Sequence, residues 1–361
     1  VTIGSEEQPR RASRVAAAVR DLHPGYFAFV MATGIISTGT YLLGPSWLSR
    51  LLLAVASAGL VVLAVALTAR LVLFRSRVAA DIRAPDRVFG FFTITAGLDV
   101  LGARVALAGH PLITAILAVV AAAIWLVLTY GVPASLLLIR SSDSVLGSVN
   151  GSWLLWVVAT QSLSIAAAVL VSSWPSQAEL LGTAATTLWS VGLLLYLMVV
   201  ALILLRWLSV PMTPATLGPP YWILMGATAI SVFAGARVVA LPSTVPVIAA
   251  TGSFIEGFAF ALWAFGTWWI PLLVILGLWR HLRRHWPLTY EPTLWSVVFP
   301  LGMYSVATFE FGKTARLSFM HSIAHVMLWV AVAAWALVAV ALLARLAREF
   351  RPAANGPGGN G

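Results

Sequence analysis

Ten apolar runs of about 18–25 residues, each long enough to cross a hydrocarbon layer as a helix, follow one another along this chain. They fall near Phe27–Leu43, Leu48–Phe74, Phe89–Ala108, Leu112–Leu138 and Trp153–Val171. The second half repeats the pattern near Leu180–Leu208, Tyr221–Leu241, Phe254–Trp279, Leu294–Phe311 and Ile323–Leu346. Only 9% of the residues are charged, where a soluble domain carries about a quarter, so a water-soluble globule is excluded. In lipid a backbone must satisfy its own polar groups, and runs of this length do so as helices. The fold class expected is therefore an all-α integral membrane protein with ten transmembrane helices. Gly131 and Pro133 predict a kink near the end of the fourth.

Charge placement gives an orientation. The net charge of +10 would suggest a nucleic-acid partner in a soluble protein, but the basic residues sit in short segments between apolar runs. With the N-terminus inside, the opposite side keeps only Arg50, Lys313 and Arg316, and Arg104 and Arg237 fall within spans. All other basic residues lie on the inner side, which predicts a multi-pass plasma-membrane protein with both termini cytoplasmic. Residues 1–22 read as a basic cytosolic tail, 23–347 as the membrane domain and 348–361 as a disordered cytosolic tail.

Every odd-numbered span carries an adjacent Ala/Thr pair: Ala32-Thr33, Thr95-Ala96, Ala159-Thr160, Ala227-Thr228 and Ala307-Thr308. Spans three and seven share more, since Gly102-Ala103-Arg104-Val105 matches Gly235-Ala236-Arg237-Val238. One pair per hairpin predicts five related helical hairpins whose odd members face one another. Polar stripes accompany the pairs: Thr33 with Ser37, Thr95 with Asp99, Thr160 with Ser164, and Thr228 with Ser231. Such stripes serve either as contacts between helices or as a pore lining. Their recurrence in the odd spans favours a shared axial path, with Thr33, Ser37, Thr95, Thr160, Ser164, Thr228 and Ser231 as the pore-lining candidates.

In the ninth span, Pro300 removes a backbone N–H and crowds the carbonyl of Ser296, which predicts a kinked helix facing the bundle interior. Phe299 beside it is a candidate pore plug. Glu310 follows eleven residues later, three turns on and on nearly the same face. Ionisable groups inside spans are costly and face protein or water rather than lipid. Asp99, Arg104, Arg237, Glu256 and Glu310 are thus candidates for a charged vestibule or for structural pairing of the arginines with the acids. The spacing of His321 with His325, and of His281 with His285, can hold a metal on a helix, but neither has a supporting ligand context, and no metal or cofactor is expected.

Three signatures carry a resemblance. His23-Pro24-Gly25-Tyr26-Phe27 with Met31-Ala32-Thr33-Gly34-Ile35-Ile36-Ser37 resembles the opening of the tellurite-resistance/dicarboxylate transporter family. Pro220-Tyr221-Trp222-Ile223 with Met225-Gly226-Ala227 resembles its seventh span, and Trp295 with Phe299-Pro300 its ninth. Trp295 stands alone where an aromatic pair is common. The family shares its fold with slow-type plant anion channels and fungal malate and sulfite permeases. The resemblance implies an inner five-helix pore ringed by five outer helices, a homotrimer with one pore per protomer, and Phe299 as the pore gate. It also implies small inorganic anions, oxyanions or C4-dicarboxylates as substrates. Two functions stand side by side, a channel-like anion permease and a proton-coupled dicarboxylate or malate transporter using Asp99 or Glu310. No nucleophile–base spacing, metal box or phosphate-cradling loop supports an enzyme.

Overall fold

The computed structural model describes residues 15–138 and 145–349. Most of the tail at 1–22, nearly all of the segment 348–361, and Arg140 lie outside the described residues. Among the described residues every regular element is helical. Ten long helices account for the ten spans: α1 (Ala28–Leu43), α2 (Ser46–Leu73), α3 (Phe92–Ala106), α4 (Pro111–Leu138), α5 (Leu155–Val171), α6 (Ala178–Ser209), α7 (Ile223–Val239), α8 (Pro246–Leu278), α9 (Trp295–Thr314) and α10 (Phe319–Glu349). A short helix, Arg75–Arg83, follows α2. α4 runs through Pro133 to Leu138 as one continuous element.

The odd helices close a ring, with α1 against α3, α3 against α5, α5 against α7, α7 against α9, and α9 back against α1. Each even helix packs outside its own odd partner and, in most cases, also leans on the next. Burial separates the two layers. Between 72% and 89% of the central stretch of each odd helix is buried, against 11–39% for each even helix, so the even helices take the lipid-facing position.

Every inner helix begins with a 3₁₀ turn at the same end of the ring: Pro24–Phe27, Val88–Phe91, Gly151–Leu154, Pro219–Trp222 and Pro292–Leu294. Proline suits the first position because no N–H is needed there and its φ is already helical. Side chains cap two of the turns: His23 Nδ1 accepts from the Gly25 N–H at 3.0 Å and Asn150 Oδ1 from the Ser152 N–H at 2.8 Å. The five turns touch in sequence around the ring and form a closed collar. Gly151 shows how tight it is, because a Cβ there would collide with the Pro220 carbonyl.

Arginines near the ends of the outer helices clasp this collar. Arg70 donates from Nε to the Arg20 carbonyl at 3.0 Å and pairs with Asp81 at 2.7 Å, and Asp81 also pairs with Arg87 at 2.9 Å. Arg206 reaches the Gly147 carbonyl at 3.2 Å and the Tyr221 hydroxyl at 3.0 Å. Arg280 pairs with Glu291 at 3.5 Å, and the Arg345 guanidinium lies 5.8 Å from the Tyr290 ring centre. A recurring arginine thus ties each of four outer helices back to the start of an inner one.

Candidate functional site

Two cavities lie inside the ring, and each is lined from all five inner helices or their starting turns. The first, of about 30 Å³, sits in the collar and is faced by His23, Arg87, Thr93, Ser152, Thr293 and Ser296. The second, of about 50 Å³, lies toward the opposite end and has room for a few water molecules. Its polar lining is Thr38, Asp99, Ser162, Arg237 and Glu310, set among Ile35, Phe233 and Met303.

Between the cavities is an apolar waist. On α9, Ser296 faces the first cavity and Met303 the second. Phe299 lies three residues after the one and four before the other, on the same helical face, and is 1% exposed. Between their cavity-lining residues the other inner helices carry Met31-Ala32, Ala96-Gly97, Val158-Ala159 and Gly226-Ala227, all buried. Pro300 packs toward Gly226, where a Cβ would come within 2.7 Å of the Pro300 ring. The α9 helix continues through Pro300 to Thr314.

Three of the five charged candidates meet in the second cavity. Arg237 and Glu310 face each other at 3.7 Å, with side chains 33% and 12% exposed. Asp99 is buried; its Oδ2 lies 2.8 Å from the Ser162 hydroxyl and its Oδ1 has no partner. Arg104 is turned elsewhere. It is buried between α1 and α2, donates to the Ser37 hydroxyl at 3.2 Å and to the Ser49 hydroxyl at 2.9 Å, and lies 4.5 Å from the Tyr41 ring centre. Glu256 is half-buried on the outer helix α8, away from both cavities, and has no ion pair among the described residues.

None of the seven hydroxyl candidates lines either of these two cavities. They bond within and between the two layers instead. Ser37 donates to the Ser49 carbonyl of α2 at 2.7 Å, Ser164 to the Ala185 carbonyl of α6 at 2.7 Å, and Thr95 to the Ala121 carbonyl of α4 at 3.4 Å. Thr33 accepts the Trp335 indole N–H at 3.0 Å, and Thr160 that of Trp125 at 2.9 Å. Thr228 and Ser231 donate to carbonyls of their own helix, Met225 and Ala227, while Trp189 donates to the Ser231 carbonyl at 2.9 Å. The physical reason is desolvation: a hydroxyl buried in an apolar bundle needs a partner, and the neighbouring helix supplies one. At three of the five Ala/Thr pairs the partner is an outer-helix tryptophan. Thr308 completes the set by accepting from Trp263 at 3.0 Å, so outer-helix tryptophans dock on the threonine of the next inner helix.

Thr38 and Ser162 were not singled out by sequence, and neither were the apolar lining residues. The available signal was helical phase: Ile35, Thr38 and Leu42 repeat on a face rotated from the Thr33–Ser37 stripe. At the collar, burial lowers the pKa of His23 to about 4, and the nearby Arg87 adds to the effect. His23 is therefore a neutral cap at pH 7. Three of the four paired histidines have local contacts: His321 packs against Phe309, His325 against Trp329, and His281 lies 2.9 Å from the Trp286 carbonyl.

A ten-span helical bundle whose inner ring encloses axial cavities is an integral membrane protein built on the lines of a channel or transporter. The chain belongs to the voltage-dependent anion channel family, which matches residues 21–343, and is thereby placed with transporters and channels of anions. An uncharacterized transporter of Methanocaldococcus jannaschii is 26% identical over 337 residues, covering 89% of this chain and 92% of the relative. An uncharacterized membrane protein of Mycobacterium tuberculosis is 46% identical over 153 residues, covering 42% of this chain and 77% of the relative.

Proposed function

We propose that the chain passes small anions along the axis of its inner ring, with Phe299 as the plug of the waist and Pro300 as its backbone support. The observation that carries this reading is the α9 stripe, in which Phe299 stands between a residue of each cavity and is itself buried. A bulky apolar side chain closes a narrow path by filling it and excluding water. The substrates on this reading are small inorganic anions, oxyanions including tellurite, or C4-dicarboxylates. The protein works as a homotrimer in the plasma membrane, with a separate path in each protomer and both termini in the cytoplasm. The excess of arginine at the collar end supports that orientation.

Phe299→Ala is the direct test. In planar bilayers the variant passes at least tenfold more chloride or nitrate current than the parent, because the waist loses its largest side chain. Equal currents from equal amounts of folded protein would sink the assignment.

A second reading, a proton-coupled dicarboxylate or malate transporter, draws support from the carboxyl of Asp99, which faces the second cavity without a cation partner. Uptake of malate into proteoliposomes with and without a pH gradient separates the two readings.

A further inference from the structure

We infer that an anion occupies the second cavity only when Asp99 carries a proton, so that this one carboxyl sets the acid dependence of the pathway. The inference rests on the axial-pathway reading and adds the side chain that controls occupancy.

Ser162 sits between two acceptors. Its hydroxyl oxygen lies 2.8 Å from the Ala159 carbonyl and 2.8 Å from Asp99 Oδ2. A serine hydroxyl has one hydrogen to give, and a carbonyl and a carboxylate can only accept. Two short contacts to two acceptors leave one of them without a hydrogen of its own. A proton on Asp99 supplies it: Asp99 then donates to Ser162, and Ser162 donates to Ala159.

The second observation is the absence of a counter-charge. Asp99 is 2% exposed, and Oδ1 has no partner. From its own helix, Arg104 is committed to Ser37, Ser49 and the Tyr41 ring. Tyr41 is the only ionisable side chain of α1, α4 contributes only Tyr130, α5 contributes none, and α2 carries Arg50 near its start and Arg70 near its end. Across the cavity, Arg237 is opposed by Glu310 at 3.7 Å. An ionised Asp99 would therefore leave the lining with one uncompensated negative charge in a poorly screened space, and that repels an anion. Protonated, with its one hydrogen given to Ser162, the same carboxyl is neutral and leaves the cavity with the Arg237 guanidinium, itself 33% exposed, and no uncompensated negative charge. The proton comes from the adjoining solution and returns to it; no other group is consumed.

The test measures nitrate efflux from proteoliposomes at equal pH on both sides, from about pH 5 to 8, with valinomycin to dissipate the membrane potential. In the parent protein and in Phe299→Ala, efflux falls about tenfold per pH unit above a midpoint. Asp99→Asn, whose amide keeps a donor and cannot ionise, moves nitrate at the acid-limit rate across the whole range. Nitrate efflux without pH dependence, or an Asp99→Asn variant that keeps the parental midpoint, overturns the inference and leaves the pathway standing. No nitrate efflux from either the parent or Phe299→Ala at any pH overturns the pathway reading, and the inference falls with it. Should Asp99→Asn fail to fold, Ser162→Ala decides: a shifted midpoint supports the assignment, and an unmoved one refutes it.

Discussion

The two ends of the inner ring hold their charges in opposite ways. At the collar, Asp81 is gripped by Arg70 and Arg87 at 2.7 and 2.9 Å, and Arg206 is spent on a carbonyl and a tyrosine hydroxyl. At the other end, Arg237 and Glu310 stand 3.7 Å apart and Asp99 has no cation. Charges closed on one another fix helices and offer nothing to a ligand. Charges left open around a cavity contribute little to the fold and remain free to meet an ion. One end clamps the ring, and the other is equipped to work.

The contrast breaks first at Asp81. In Asp81→Asn the Arg70 guanidinium, 3% exposed, keeps its bond to the Arg20 carbonyl but loses its counter-ion. Removing one partner of a buried pair costs about 3–5 kcal/mol. Unfolding in mixed micelles should show a loss of that size, with anion flux per folded protein retained. A loss below about 1 kcal/mol would mean that the collar pair is no clamp.

His23 gives the next largest effect. Its folded pKa of about 4 lies below the value near 6.5 of a free imidazole, so on acidification the unfolded chain takes up the proton first. The contribution is complete above about pH 6.5, is lost as pH falls toward about 4, and does not change further below that. The span corresponds to about 3 kcal/mol. His23→Asn retains an acceptor for the Gly25 N–H but cannot titrate, so the slope of unfolding free energy between pH 6.5 and 4 should diminish in that variant. An unchanged slope would locate the acid sensitivity elsewhere.

The open end should behave differently under the same kind of substitution. Arg237→Gln breaks a long pair whose arginine is one-third exposed, and stability should move by less than about 1 kcal/mol. Anion flux should fall, since Arg237 is the one cation that the described residues place in the lining of the second cavity. A destabilisation as large as that of Asp81→Asn would erase the distinction between the ends.

The bundle was legible in the sequence, and so were Asp99, Arg237 and Glu310 of the second cavity, but its uncharged lining was not, for one physical reason. Helix length and apolarity are fixed by the bilayer, so ten spans and a repeating hairpin can be read directly. Polarity inside the bundle is ambiguous, because a buried hydroxyl must find a partner wherever it lies. Thr33, Thr160 and Thr308 found theirs on outer tryptophans, while the axis is walled by Ile35, Phe233 and Met303, which read like lipid-facing residues. Arg104 and Arg237 show the limit most sharply. They occupy the same place in matching Gly-Ala-Arg-Val motifs, yet α1 and α2 offer Arg104 two serines and a tyrosine, whereas α9 offers Arg237 a glutamate across the cavity. The motif was repeated; the neighbours were not.

The smallest expected effect tests the explanation of that repeat. Trp335 with Thr33, Trp125 with Thr160, and Trp263 with Thr308 are three copies of one contact between layers. Hydrogen bonds between membrane helices average about 0.6 kcal/mol in double-mutant cycles, because the unfolded chain also finds partners. A cycle of Trp335→Phe and Thr33→Val should return a coupling near that value, with chloride current unchanged. The result discriminates because a pore-lining threonine would behave in the reverse way, altering the current and showing no coupling to a tryptophan on an outer helix. The same cycle on Trp125 and Thr160 should agree within the scatter expected of one repeated device. Two couplings near zero would return the hydroxyl stripe to the axis, and the correspondence between polar face and outer layer would fail with it.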